Sequence, residues 1–164
     1  MNKADVAIFM GSKSDLPLMQ EAAAILKKLD VSYSMTVTSA HRTPDRTEVL
    51  IKEFEANGGQ IFIAGAGSAA HLAGVVAAKT ILPVIGVPID SSPLQGWDSL
   101  LSTVQMPGGI PVASMAVGKA GAKNAGIFAA QILARKDLAL AKRLLAYKDE
   151  MAKKVIDDAD SLDG

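Results

Sequence analysis

The chain has 164 residues, with 17 basic and 17 acidic side chains, a net charge of zero, no cysteine and two histidines. This length fits one domain that buries roughly 70% of its unfolded surface. Without cysteine, disulfides, thiolate catalysis, iron–sulfur clusters and cysteine zinc sites are excluded, and without a basic excess or aromatic–basic interleaving nothing points to nucleic acid.

Hydrophobic residues make up 49% of the chain and aromatics only 4%, so the core is built from aliphatic side chains and Met. Met1-Asn2-Lys3-Ala4-Asp5 leads directly into a strand-like run, without the apolar stretch and small-residue cleavage site of a signal peptide. No run approaches the ~18–20 apolar residues that span a bilayer. These features predict a soluble, cytoplasmic protein with no membrane partner.

Val6 to Met10 is continuously apolar and reads as a strand buried on both faces. After the loop Gly11-Ser12-Lys13-Ser14-Asp15, one helical face carries Leu18, Ala22, Ile25, Leu26 and Leu29. Asp15 or Ser14 suits its cap and Pro17 its first turn. Ser32 to Val37 alternates Tyr33, Met35 and Val37 with Ser32, Ser34 and Thr36, the pattern of a half-exposed edge strand. Ser39-Ala40-His41-Arg42-Thr43-Pro44 follows, with Thr43 as a cap and Pro44 in the first turn of a helix that stops at Asn57-Gly58-Gly59.

A third strand, Ile61 to Ala64, leads into Gly65-Ala66-Gly67-Ser68-Ala69-Ala70-His71 and a helix from about Ala70 to Lys79. A fourth strand, Val84 to Val87, precedes the loop Pro88 to Gly96, whose Ser91, Ser92 and Pro93 could close a site, and a short helix from Trp97 to Gln105. Gln105-Met106-Pro107-Gly108-Gly109 then reads as a wall of a pocket or, in preference, as a connection to a fifth strand at Val112 to Val117. Ala120 to Ala134 is an Ala- and Gly-rich helix whose backbone can approach a neighbour closely. Leu138, Ala141, Leu144, Leu145, Met151 and Val155 continue an amphipathic pattern, and Asp157 to Gly164 reads as a frayed end.

This β-α alternation predicts one three-layer, doubly wound α/β domain with a parallel sheet and the flavodoxin-like strand order 2-1-3-4-5. Residues 5–134 form its core. The helix over residues 137–157 is additional, and either covers a neighbouring subunit or packs within the chain.

In such a sheet, ligands bind beyond the carboxyl ends of the strands. The loops after strands one, two and three all emerge there. In the first, the Ser12 and Ser14 hydroxyls and the helix N–H groups can surround a phosphate, and Asp15 suits a ribose diol or a helix cap. The second sets His41, able to carry a proton near neutral pH, beside Arg42, able to hold an anion in a fixed fork. The third lets a ligand approach small residues closely, with His71 opening the next helix and its N–H groups. Each loop alone also reads as a capped turn without a ligand; their convergence on one side favours a site for a small anionic substrate. Lys119 and Lys123 read as solvated surface charges. The first loop is neither a Walker motif nor a Gly-x-Gly-x-x-Gly fingerprint, so a dinucleotide is not expected. Two histidines without metal-ligand spacing predict no metal.

Gly11-Ser12-Lys13-Ser14-Asp15, Ser39 to Pro44, Ala64-Gly65-Ala66-Gly67 with Ala69-Ala70-His71-Leu72, and Val104-Gln105-Met106-Pro107 together resemble the class I 5-(carboxyamino)imidazole ribonucleotide mutases of bacterial purine biosynthesis. The resemblance covers nearly the whole chain. It departs at Ser68, where a second glycine is expected in Gly-Gly-Ala-Ala-His. It implies an isomerase that moves a carboxylate from the exocyclic amine of an aminoimidazole ribonucleotide to a ring carbon, without ATP, metal, biotin or another cofactor. It further implies that Ser12, Ser14 and Arg42 hold the phosphate, Asp15 the ribose, His41 acts as general acid and base, and His71 lines the base pocket. Ser39, Gly65, Ala66, Gly67 and Ser68 complete the implied substrate-binding set, and a homo-octamer is the implied assembly.

A related carboxylase that uses free carbon dioxide is the nearest alternative. That branch resembles this one but tends to carry Lys after the catalytic His and lacks Ala-Ala-His, so Arg42 and His71 favour the mutase. A flavodoxin-like receiver or flavin carrier fits less well: Gly11-Ser12 and Gly65-Ala66 occupy the places of a receiver's acidic residues, and rings to flank a flavin are few. A scaffold without catalysis is a third reading.

Overall fold

The computed structural model describes residues 3–162; Met1, Asn2, Asp163 and Gly164 lie outside the described residues. Its strands are β1 (Val6–Met10), β2 (Tyr33–Val37), β3 (Ile61–Gly67), β4 (Val84–Ile89) and β5 (Ala113–Ser114). They pair in the order β2-β1-β3-β4-β5, and every pairing is parallel. This is the predicted flavodoxin-like order.

Because side chains alternate across a strand, each central strand supplies two cores. Val6, Ile8 and Met10 of β1 join Ile61 and Ile63 of β3 on one face. Ala7, Phe9, Phe62 and Ala64 point to the other. The first face is covered by α1 (Leu16–Lys28) and α5 (Lys119–Ala134), the second by α2 (Pro44–Ala56) and α3 (Leu72–Ala77). The few aromatics concentrate on the second face, where Phe62 meets Phe9 edge-on at 5.4 Å between ring centroids and Phe54 at 4.7 Å. α4 (Trp97–Val104) also lies on this side, where the Thr103 methyl, Val112 and Ala73 crowd the space a side chain at Gly86 would need.

Several boundaries differ from the sequence expectation. β5 is shorter than Val112 to Val117. Gly86 accepts from the Met115 N–H at 2.8 Å, so β4 turns the amides of alternate residues from Gly86 onward toward β5. Pro88 is next in that series and has no N–H to donate, so it joins the next segment only through its carbonyl, which accepts from the Gly118 N–H at 2.9 Å, and the regular ladder stops short. β2 lies at the edge as predicted, but of its apolar residues only Met35 packs on the core, while Tyr33 and Val37 are exposed. α3 is confined to six residues.

α6 (Leu138–Asp160) is capped by the Asp137 carboxylate, which accepts from the Ala139 and Leu140 N–H groups. It continues past the predicted fraying point at Asp157, where Lys153 pairs with Asp157 and Lys154 with Asp158. Leu140 and Leu144 are buried against the chain's own core, whereas Leu145, Met151, Val155 and Ile156 are exposed. No helix of the described residues is long and apolar enough to cross a membrane.

α1 and α5 pack closely because Gly126 has no side chain. A Cβ there would stand 2.8 Å from the Ala22 carbonyl oxygen and 3.1 Å from the Ile25 Cβ. Helix propensity alone favours Ala over Gly by about 1 kcal/mol, but a backbone carbonyl cannot move aside cheaply. Gly126→Ala is therefore expected to destabilise the fold by about 1–3 kcal/mol, read as a lowered urea midpoint. An unchanged or raised midpoint would show that the helices separate freely.

Candidate active site

The loop after β1 folds into a single 3-10 turn (Lys13–Asp15) before α1. The Ser12 hydroxyl caps this turn by accepting from the Ser14 N–H at 3.3 Å, and the Asp15 carboxylate accepts from the Ser12 N–H at 2.9 Å. This reciprocal capping box replaces the predicted cap by Asp15 or Ser14: no side chain caps α1 itself, and Pro17 sits in its first turn. The Ser14 hydroxyl donates to the Ser12 hydroxyl at 2.9 Å, so both hydroxyls meet at the rim of one cleft.

Asp15 is only 6% exposed. Burial pushes its carboxyl above the ordinary value of 3.8, and the Ser12 N–H, the Ser14 hydroxyl and the Arg42 charge offset part of that rise. A buried carboxyl held above its ordinary value costs stability when ionised, as functional groups commonly do.

The loop after β2 is fixed from beneath. Thr38 and Thr47 are buried and their hydroxyls lie 2.7 Å apart. The Thr47 hydroxyl also engages the Thr43 carbonyl at 3.1 Å. Thr43 does not cap α2. Its hydroxyl instead accepts from the Ser39 N–H at 2.9 Å, closing the loop on itself. Ser39 in turn accepts from the Arg42 N–H at 3.2 Å, and an Arg42 terminal nitrogen donates to the Gly11 carbonyl at 3.2 Å. Arg42 thereby joins the second loop to the first and keeps further N–H donors for a ligand.

His41 Nε2 and His71 Nδ1 are 2.7 Å apart, with the rings nearly perpendicular at 80°. One nitrogen must donate and the other accept, so the pair shares a proton between the second and third loops. His71 precedes α3, but its side chain forms no cap; it faces His41 instead. The N–H groups expected to be free at this helix start are partly used, since the Ala70 N–H donates to the Ser102 hydroxyl at 3.1 Å.

Ser12, Ser14, Asp15, Ser39, His41, Arg42, Ala66, Gly67, Ser68 and His71 all line one cleft of about 410 Å3. Gly65 lies outside it. Its missing side chain makes room for Met19 in the core, and its carbonyl accepts from the Gly11 N–H at 3.1 Å. Gly67 lets Ser91, from the loop after β4, close over the third loop where a Cβ would collide with it. Ser68 has a backbone φ of +54°, a left-handed conformation that favours the glycine its position is expected to hold. Residues 105–109 do not line the cleft, and Lys123 pairs with Glu21 across α1 and α5 at 3.5 Å. Among the described residues no group of three His, Cys, Asp or Glu side chains could hold a metal ion.

Ala40 and Leu72, which the sequence does not single out, also line the cleft, as does Ser91. The Thr38–Thr47 support is likewise invisible in the sequence, apart from the i, i+4 spacing of Thr43 and Thr47.

Residues 5–154 match the AIR carboxylase family. The chain belongs to this family. It is 54% identical to the N5-carboxyaminoimidazole ribonucleotide mutase of Haemophilus influenzae over 96% of each chain. It is 53% identical to the enzyme of that name from Escherichia coli K12, over 97% of this chain and 94% of the relative. The crystal structure of Treponema denticola PurE is similar at a TM-score of 0.87 and 31% identity, covering 96% of this chain and 97% of that one. In this AIR carboxylase family member, three of the four stretches that carry the sequence resemblance converge on one crevice, and Val104 to Pro107 does not.

Because the folded Asp15 carboxyl lies above its unfolded value, its ionisation penalty is absent at pH below 3.8 and grows as pH rises through the folded value. Asp15→Asn removes that penalty. It is expected to melt above the wild type at neutral pH, with the gap closing as pH falls toward 3.8. Thermal melts across this range check it; a gap that does not change with pH overturns the assignment.

Proposed function

We propose that the chain is an isomerase of de novo purine biosynthesis that moves the carboxylate of N5-carboxyaminoimidazole ribonucleotide from the exocyclic amine to the neighbouring ring carbon. Relatives with that activity in their names match almost the full length at 53–54% identity. The observation that carries the chemistry is the His41–His71 pair, whose facing nitrogens are 2.7 Å apart at a cleft walled by small residues.

The reaction runs by decarboxylation and recarboxylation. His41 gives a proton to the exocyclic nitrogen, the nitrogen–carboxyl bond breaks, and carbon dioxide and the free amine result. The ring carbon, electron-rich because it belongs to an enamine, then attacks carbon dioxide. His41 takes the proton that leaves the ring carbon. One proton is given and one returned, so the cycle balances without a co-reactant. His71 lines the base pocket and, through its contact with His41 Nε2, sets which His41 nitrogen carries the proton. Ser12, Ser14 and Arg42 hold the phosphate, and Asp15 the ribose diol. Ala66, Gly67 and Ser68 keep carbon dioxide against the ring, where closeness replaces a collision between separate molecules.

This reading includes a cytoplasmic location and assembly into a homo-octamer. Supporting assembly, Trp97, Leu101 and Val104 lie on one exposed face of α4, with Trp97 65% accessible, and α6 exposes an apolar stripe along its second half. Such surface marks subunit contacts. The alternative, carboxylation of aminoimidazole ribonucleotide by free carbon dioxide, draws on the description of the family as AIR carboxylase.

His41→Asn is expected to lower turnover of the carboxyamino ribonucleotide ~100- to 10,000-fold while leaving product affinity, measured by calorimetry, nearly unchanged. Equal turnover in wild type and variant sinks the assignment, and faster conversion of the uncarboxylated ribonucleotide with bicarbonate establishes the carboxylase instead. Light scattering is expected to give the mass of eight chains; a monomer's mass would reject the octamer.

A further inference from the structure

A second cleft, of about 360 Å3, adjoins the active site on the far side of Arg42. Gly11, Ser12, Ser39 and Arg42 form the wall between them and line both. The charged residues lining the second cleft are Lys13, Arg42 and Arg46, and no carboxylate lines it. Lys28, Lys52, Lys79, Lys123, Lys153 and Lys154 are all paired with carboxylates. Among the described residues, no salt bridge of this kind engages Lys13, Arg42 or Arg46. Asp45, beside Arg46 in the first turn of α2, does not line the cleft.

From the proposed substrate, resting on the mutase reading, we infer that Lys13 and Arg46 form a capture vestibule that draws the phosphate monoester toward Ser12, Ser14 and Arg42. The substrate carries a phosphate and a carboxylate, hence close to three negative charges at neutral pH. The chain as a whole cannot attract it, because the net charge is zero. The active-site cleft offers little more, since Asp15 offsets Arg42 there. Attraction must come from a local excess of positive charge, and the neighbouring cleft supplies it without opposing carboxylates. Charges of one sign in a concave wall focus the field and raise the local concentration of an oppositely charged ligand. Both side chains are exposed, so their pull is weakened by salt over a Debye length of about 8–10 Å.

The vestibule separates capture from chemistry, because neither Lys13 nor Arg46 lines the active-site cleft. The test is the double variant Lys13→Gln/Arg46→Gln in the full chain. Its KM for the carboxyamino ribonucleotide is expected to rise roughly 3- to 10-fold at low ionic strength with kcat retained, and to converge on the wild-type value in high salt. Arg46→Lys, which keeps the charge but not the fork, is expected to retain the wild-type KM. A variant with unchanged KM and salt dependence overturns the vestibule, as does a loss of kcat with KM unchanged.

Calorimetry with ribose 5-phosphate reads the same attraction without turnover. Several-fold weaker binding by the double variant at low salt supports the vestibule, and equal binding overturns it. Absence of turnover by the wild type would instead overturn the mutase reading, so the two failures are distinguishable.

Discussion

β1 pairs in parallel with β2 on one side and β3 on the other, and the rest of the site depends on that placement. Three consecutive strands point their carboxyl ends the same way, while α1 covers one face of the sheet and α2 and α3 the other. The chain therefore parts above β1 and leaves a crevice there. Backbone bonds continue the ladder into the loop bases: the Thr38 N–H donates to the Met10 carbonyl at 2.9 Å and the Gly11 N–H to the Gly65 carbonyl at 3.1 Å. The three loops begin from fixed points and need only short excursions to meet.

Within those excursions, polar side chains order the loops before any ligand arrives. The Asp15 carboxylate accepts from the Ser12 N–H and the Ser12 hydroxyl from the Ser14 N–H, Thr43 turns back on Ser39, and buried Thr38 and Thr47 brace that turn. Arg42 and the two histidines then tie the loops together. A reaction that transfers protons and holds a small reactive molecule gains most from such positioning. The arrangement also has a stability cost: Asp15 is buried with its carboxyl above the ordinary range, and Ser68 holds a backbone conformation that glycine adopts more easily.

Charge is distributed on two scales. The chain as a whole is neutral, yet Lys13, Arg42 and Arg46 meet where no carboxylate lines the wall. For a substrate with close to three negative charges, the local excess matters more than the sum. Arg42 lines both clefts.

The continuous apolar runs at Val6 to Met10 and Ile61 to Ala64, set against the alternation at Ser32 to Val37, made the parallel sheet and its edge strand legible, because burial on two faces or one leaves a direct mark on residue choice. The loop residues were legible by type, since Ser, His, Arg and Gly have narrow chemical uses. The sequence could not show that β5 ends where Pro88 withholds a donor, that Gly65 serves the core while Gly67 admits Ser91, or that Thr43 closes a loop instead of capping a helix. The layers and the edge place of β2 are thus written in local periodicity, the strand order follows from that edge and the rules of doubly wound sheets, and the residues at the strand ends declare themselves by type. That His41 and His71, thirty positions apart, face each other, and that Lys13 and Arg46 line one cleft, is settled by the tertiary fold. Those contacts depend on strands paired across the sheet, a distance that no local pattern encodes.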